Sequence, residues 1–186
     1  MNHVTWYAAR SAGLVAWCLL AASTAWGLAL STGILGRRPR ASWLLDLHRF
    51  LGAAAVVFVG VHVAALVADD YVHFGVADVV VPLRSSWHPV AVAWGVVAAW
   101  LLIAVEVTSL LRAQLPVVLW RRVHYLSFGV FVLATVHGAT AGTDRHGAPF
   151  LWAALVACGA FVALVGVRLS AYVTAGGRTP AARNSS

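Results

Sequence analysis

Four histidines stand in two apolar stretches, in a pattern that suits paired ligation. His48 and His62 lie fourteen residues apart, in the run from Leu44-Leu45-Asp46-Leu47-His48-Arg49 to Val61-His62-Val63. His124 and His137 lie thirteen apart, in the run from Arg121-Arg122-Val123-His124 to Thr135-Val136-His137-Gly138. Two neutral imidazoles from facing helices close both axial positions of a b-type haem iron, and bundle cores are where such groups sit. Fourteen residues at ~1.5 Å each cover about 21 Å, which fits inside a hydrocarbon core of ~30 Å. Two haems so stacked would carry electrons across a barrier closed to ions. Other readings of the same histidines are a proton or metal transport pathway and plain polar contacts between helices, as in a non-catalytic membrane anchor subunit of a redox complex. Neither demands four histidines at matching depths in two segments that run the same way, so di-haem ligation explains more of the pattern.

The elements that must position these rings are membrane helices. Of 186 residues, 61% are hydrophobic and 10% are charged, against about 25% charged in soluble chains. Several apolar runs reach the ~20 residues a spanning helix needs. They are continuous rather than alternating, which excludes a barrel. The fold class is therefore an all-α polytopic membrane helix bundle. The net charge of +7 comes from arginine alone, and most arginines flank apolar runs. That arrangement is membrane topology, not the aromatic-interleaved basic surface of a nucleic-acid partner. Cys18 and Cys158 fall inside apolar runs and outside any CxxC pattern, so they read as small core residues.

Five crossings are expected: Ser11 to Ile34, Ser42 to Ala68, Trp87 to Leu111, Val117 to Ala141, and Pro149 to Tyr172. Ser42 is the expected N-cap of the second, with Asp46 in its first turn. The stretch Asp69 to Trp87 suits a short interfacial helix, because Val79-Val80-Val81 is too short to span. Pro89 suits a first helical turn. Residues 1–175 make one membrane domain and 176–186 a disordered cytoplasmic tail. With the N-terminus outside and the C-terminus inside, Arg37, Arg38, Arg40, Arg49, Arg112, Arg121, Arg122, Arg168, Arg178 and Arg183 are cytoplasmic. Arg10, Arg84 and Arg145 alone are external, as the positive-inside rule asks. Location in the plasma (inner) membrane follows as the expectation.

The second and fourth segments then both run outward, which pairs His48 with His124 and His62 with His137. At ~100° per residue, His48 and His62 stand about 40° apart on the wheel, but His124 and His137 about 140° apart. Either the fourth segment is deformed, with Ser127 and Gly129 as candidates, or the two haems are rotated relative to each other. Beside His48 and His62, Gly52 and Ala55 leave room for a flat ring.

The runs LHRFLGAAAVVFVGVHV and WRRVHYLSFGVFVLATVHG resemble the ferric reductase-like transmembrane domain. Ferric-chelate reductases, NADPH oxidases and the haem-carrying partner of periplasmic methionine sulfoxide reductase share it. The resemblance extends from about Arg10 to Tyr172 and implies two stacked b haems on His48, His62, His124 and His137, with electrons flowing outward. Family members commonly have six crossings, where five are expected here. No G-x-G-x-x-G element follows the last helix, so no FAD or NAD(P)H site is expected in this chain. A separate flavoprotein reductase or a membrane quinol is the expected donor. Ferric iron, oxygen or a partner protein outside is the expected acceptor.

Arg49, Arg121 and Arg122 stand beside the inner histidines and suit haem propionates, since guanidinium matches carboxylate; membrane anchoring explains them equally well. Arg84 and Arg145 are weaker candidates outside. Glu106 could pair with an arginine, orient a ligand histidine or pass a proton. His73, His88, His146, Asp69, Asp70, Asp78 and Asp144 form no compact ligand motif and read as solvated loop residues.

Overall fold

The structure, a computed structural model, describes residues 4–32, 42–69, 74–143 and 147–176. Its helices are α1 (Val4–Thr32), α2 (Ser42–Val67), α3 (Val76–Val80), α4 (Pro89–Leu110), α5 (Val117–His124), α6 (Leu126–Ala141) and α7 (Ala148–Gly176). A single 3-10 turn, Arg112–Gln114, joins α4 to α5. No strand occurs among the described residues. Five helices are long and apolar enough to cross a membrane when α5 and α6 are taken as one span. In hydrocarbon every backbone group must be satisfied internally, which a helix does by itself.

Two antiparallel hairpins organise the bundle. In the first, α1 and α2 pack along their lengths. Trp26 Nε1 donates to the Leu44 carbonyl at 2.8 Å near one end, and His62 meets Ala9 near the other. In the second, α4 packs along α6, with His137 against Ala91. Trp17 Nε1 ties the hairpins together by donating to Thr135 Oγ1 at 3.0 Å. Leu20, Leu102 and Val130, one each from α1, α4 and α6, form an apolar cluster midway along the bundle. On α2 only Ala55 is buried, at 0% exposure, and it lies seven residues from either histidine. α7 closes the side through Phe161 against Phe131 (ring centres 5.2 Å) and Phe150 against Trp17 (5.8 Å).

Several boundaries differ from the sequence expectation. α1 starts at Val4, a turn and more before Ser11. Ser42 lies within α2, and Asp46 sits past its first turn, bridged to Arg49 at 3.2 Å on the surface. The interfacial piece is α3, whose first turn closes when the Gly75 N–H donates to Asp78 Oδ2 at 2.9 Å. Cys18 is exposed on α1 and Cys158 half-buried, so neither is a core residue. Gly176 ends α7 instead of opening the tail. The remaining tail, Arg37, Arg38, Arg40, Asp70, His73, Asp144, Arg145 and His146 lie outside the described residues.

The fourth span is interrupted, but not at Ser127 or Gly129. α5 ends at His124 and α6 begins at Leu126. Across Tyr125 the Phe128 N–H reaches the Tyr125 carbonyl at 3.2 Å, a bond over three residues. Such a tightened turn adds roughly 20° of rotation per residue relative to an α-helix. The added rotation carries His124 toward the face of His137. Arg168 on α7 secures this point: it donates to the Tyr125 hydroxyl at 3.2 Å and to Ser31 Oγ on α1 at 2.8 Å. Its guanidinium also lies 5.6 Å from the Tyr125 ring centre.

Arg168→Ala should therefore lower unfolding stability in detergent by about 1–2 kcal/mol, the scale for losing hydrogen bonds from a charged donor. A thermal melt unchanged from wild type would show that these contacts do not hold α7 to the break.

Candidate cofactor site

The two hairpins bring the four histidines into two pairs. His48 faces His124 with ring centres 6.0 Å apart and planes crossing at 79°. His62 faces His137 at 6.4 Å and 77°. A metal bonded to one nitrogen of each ring at ~2 Å holds the ring centres roughly 6 Å apart. The rings thus stand at a distance that admits one ion between them. Among the described residues no group of three or more His, Cys, Asp or Glu converges on a metal position. Any metal held here takes its protein ligands as a pair.

Three rings are fixed from behind by a backbone carbonyl. The Nδ1–H of His62 donates to Ala9 O at 2.7 Å, and that of His137 to Ala91 O at 2.8 Å. His48 Nδ1 lies 3.1 Å from Ser23 O and 3.3 Å from Ser23 Oγ. A carbonyl only accepts, so the proton is on Nδ1 and the Nε2 lone pair is left for a ligand bond. A helical carbonyl is normally covered by the side chain four residues on. Here those positions are Gly13, Gly27 and Gly95. A Cβ on Gly13 would stand 2.9 Å from His62 Nδ1, one on Gly27 3.0 Å from His48 Cε1, and one on Gly95 2.8 Å from His137 Nδ1. Each missing side chain opens a window through which an imidazole reaches the helix.

His124 is held differently. Its ring stacks on Trp120, one turn earlier, with centres 5.1 Å apart and planes at 23°. Arg112 lies over the Trp120 ring, 4.7 Å from its centre. His124 Nδ1 is buried with no hydrogen-bond partner.

Between the hairpins lies a cavity of ≈ 340 Å³, within the size range of cofactor pockets. His62 and His137 project into it, its walls include Ala16, Leu20, Ala55, Val59, Leu102 and Val130, and Arg10 and Asp69 line its rim. Asp69 is buried and accepts from Thr5 Oγ1 at 2.7 Å. A flat apolar ring with an iron centre and anionic edges fits the groups lining this cavity: the paired Nε2 lone pairs of His62 and His137, apolar walls, and Arg10 at one end.

The expected arginines are placed unevenly. Arg49 is 61% exposed and engaged with Asp46. Arg121 and Arg122 are exposed on α5 beside His124. Arg112 was not singled out by sequence reasoning as a site residue, yet it reaches the His124 surroundings through Trp120. Arg10, read only as a topology marker, lines the cavity at the other end. Glu106 points toward Gly52, where a Cβ would stand 3.3 Å from its Oε2. It pairs with no arginine among the described residues. The window glycines were also missed, although Gly13 and Gly27 repeat the fourteen-residue interval of His48 and His62.

Alanine at a helical glycine normally gains up to ~1 kcal/mol, whereas overpacking costs about 1–3 kcal/mol. Gly13→Ala and Gly95→Ala should therefore melt lower than Gly60→Ala and Gly129→Ala, whose Cβ positions are open. Four equal melting temperatures would rule out the windows as steric requirements.

Among curated proteins and among solved structures, nothing matches the chain. The family model described as ferric reductase like transmembrane component matches residues 11–135. That stretch takes in His48, His62 and His124 and stops just before His137. With more than half its length matched and five helices able to span, the chain is a multi-pass membrane protein that belongs to the ferric reductase-like transmembrane component family.

Proposed function

We propose that this chain moves electrons across a membrane through two b-type haems, one between His48 and His124, the other between His62 and His137. The observation that carries the proposal is the ring separation of 6.0 and 6.4 Å in two stacked pairs. A haem held at each pair supplies one-electron ferric–ferrous chemistry. The chain's own part is positional. The carbonyls of Ala9, Ser23 and Ala91 hold the Nδ1 protons and so aim the ligand lone pairs. The Leu20, Leu102 and Val130 layer keeps water and ions out of the space between the pairs.

In this reading the His48–His124 end is cytoplasmic, the N-terminus outside, the C-terminus inside and the plasma (inner) membrane the location, and the positive-inside arginine distribution supports that orientation. A separate flavoprotein or a quinol gives up electrons at the cytoplasmic end. Ferric iron, oxygen or a partner protein takes them outside. Arg112, Arg121 and Arg122 suit the propionates of the inner haem and Arg10 those of the outer one; Arg49 can join only by leaving Asp46.

Purified protein should show b-type bands in a reduced-minus-oxidised spectrum and contain two haems per chain. His62→Ala and His137→Ala should each leave one, retained at the His48–His124 pair. The oxidised protein should give the strongly anisotropic low-spin EPR signal of crossed axial imidazoles, as the 79° and 77° angles require. A colourless protein after expression with ample haem would overturn the proposal.

A further inference from the structure

The windows behind the rings form a series with one exception. On α1 the acceptor and window positions are Ala9 with Gly13, then Ser23 with Gly27, fourteen residues further on. On α4 they are Ala91 with Gly95. Fourteen residues on from these stand Val105 and Ser109. The fourth window therefore carries a hydroxyl where the others carry nothing. Fourteen residues along a helix bring Ser109 to within about 40° of the face of Gly95 and about 21 Å along the axis. α6 and α5 run antiparallel to α4, and thirteen residues lead from His137 back to His124. Ser109 thus lies level with His124. Arg112, one turn past Ser109, rests on the Trp120 ring that stacks on His124, which joins the same two regions independently.

Two further observations single out this position. Ser109 Oγ and His124 Nδ1 are, with Trp120 Nε1, the buried side-chain polar atoms without a partner among the described residues. The backbone acceptor open to the other three rings lies here behind the Ser109 side chain, and Val105 O also takes the longer branch of the Thr108 hydroxyl, at 3.1 Å against 2.7 Å to Ala104 O. An unmade hydrogen bond at a buried polar group is costly, and these two groups are complementary.

We infer that Ser109 is the positioning residue for His124, its Oγ accepting the Nδ1–H when the His48–His124 pair holds its haem. Three ligand imidazoles then lean on main-chain carbonyls and the fourth on a side-chain hydroxyl. A hydrogen bond from Nδ1–H raises the basicity of a ligand imidazole, and a more basic ligand favours the ferric state. The hydroxyl makes the tuning of this one haem dependent on a side chain.

The inference rests on the di-haem reading, and the experiment separates the two. Full-length protein is purified with its haems and titrated potentiometrically, with the two haems resolved by their spectra. Ser109→Ala should raise the midpoint potential of the haem on His48 and His124 and leave the other in place. Ser109→Thr, which keeps the hydroxyl, should restore it. Should the alanine variant fail to hold haem, Ser109→Gly, which uncovers the Val105 carbonyl as in the other windows, should lower that same midpoint. Potentials unchanged in the alanine and glycine variants, or an equal shift at both haems, would overturn the role of Ser109 while leaving the haems in place. Protein without haem would overturn the parent reading instead.

Discussion

The bond from an imidazole Nδ1–H to a carbonyl inside a neighbouring helix sets the terms for this bundle. A histidine in hydrocarbon has no water to satisfy its second nitrogen. A helical carbonyl already accepts one hydrogen bond and keeps a lone pair for another, and in these spans a glycine one turn on opens it to an imidazole. His62 on Ala9 and His137 on Ala91 meet that condition at 2.7 and 2.8 Å. The bond does two things together. It draws α2 close against α1, and α6 against α4, and it turns the other ring nitrogen toward the opposite hairpin.

That constraint explains what was legible in the sequence. Hydropathy finds the spans, though not their ends, because a membrane helix must be apolar over most of its length. Histidine is rare enough in such runs that fourteen- and thirteen-residue intervals stand out, and the pairing of His48 with His124 and His62 with His137 follows from matching depth. The windows did not stand out, because Gly13, Gly27 and Gly95 sit among many small residues on spans where glycine is common. Their meaning lies in what faces them from another helix. The thirteen-residue interval left two outcomes open, a deformed fourth span or rotated haems, since on a straight helix it aims its histidines apart; the break at Tyr125 is the first of these. Its location was not readable: Ser127 and Gly129 have the composition of a weak point, whereas the contacts that mark the real one come from Arg168 and Ser31, far away in the chain. Arg49 shows a related effect. Proximity in sequence to His48 says nothing about Asp46 competing for its guanidinium three residues away.

The middle of the molecule is as specialised as its ends. Leu20, Leu102 and Val130 come from three helices and meet between the two histidine levels. Ala55 is fully buried beside them. Glu106 of α4 faces Gly52 of α2, one turn from His48. The apolar layer and the two polar levels repeat the hairpin logic, because α1 and α4 each supply a wall and α2 and α6 each supply the groups that project from it.

The division into hairpins has a consequence for assembly. Neither hairpin contains a complete pair: α1 and α2 own His48 and His62, and α4 with α5 and α6 own His124 and His137. Within each hairpin the helices pack extensively, whereas α2 touches α4 sparingly. Within the halves three rings are held at Nδ1 by a carbonyl of their own hairpin, and His124 by its stack on Trp120. Under the proposed function, a haem bonded to both rings of a pair would clasp the two hairpins together, fastening the bundle as well as conducting through it.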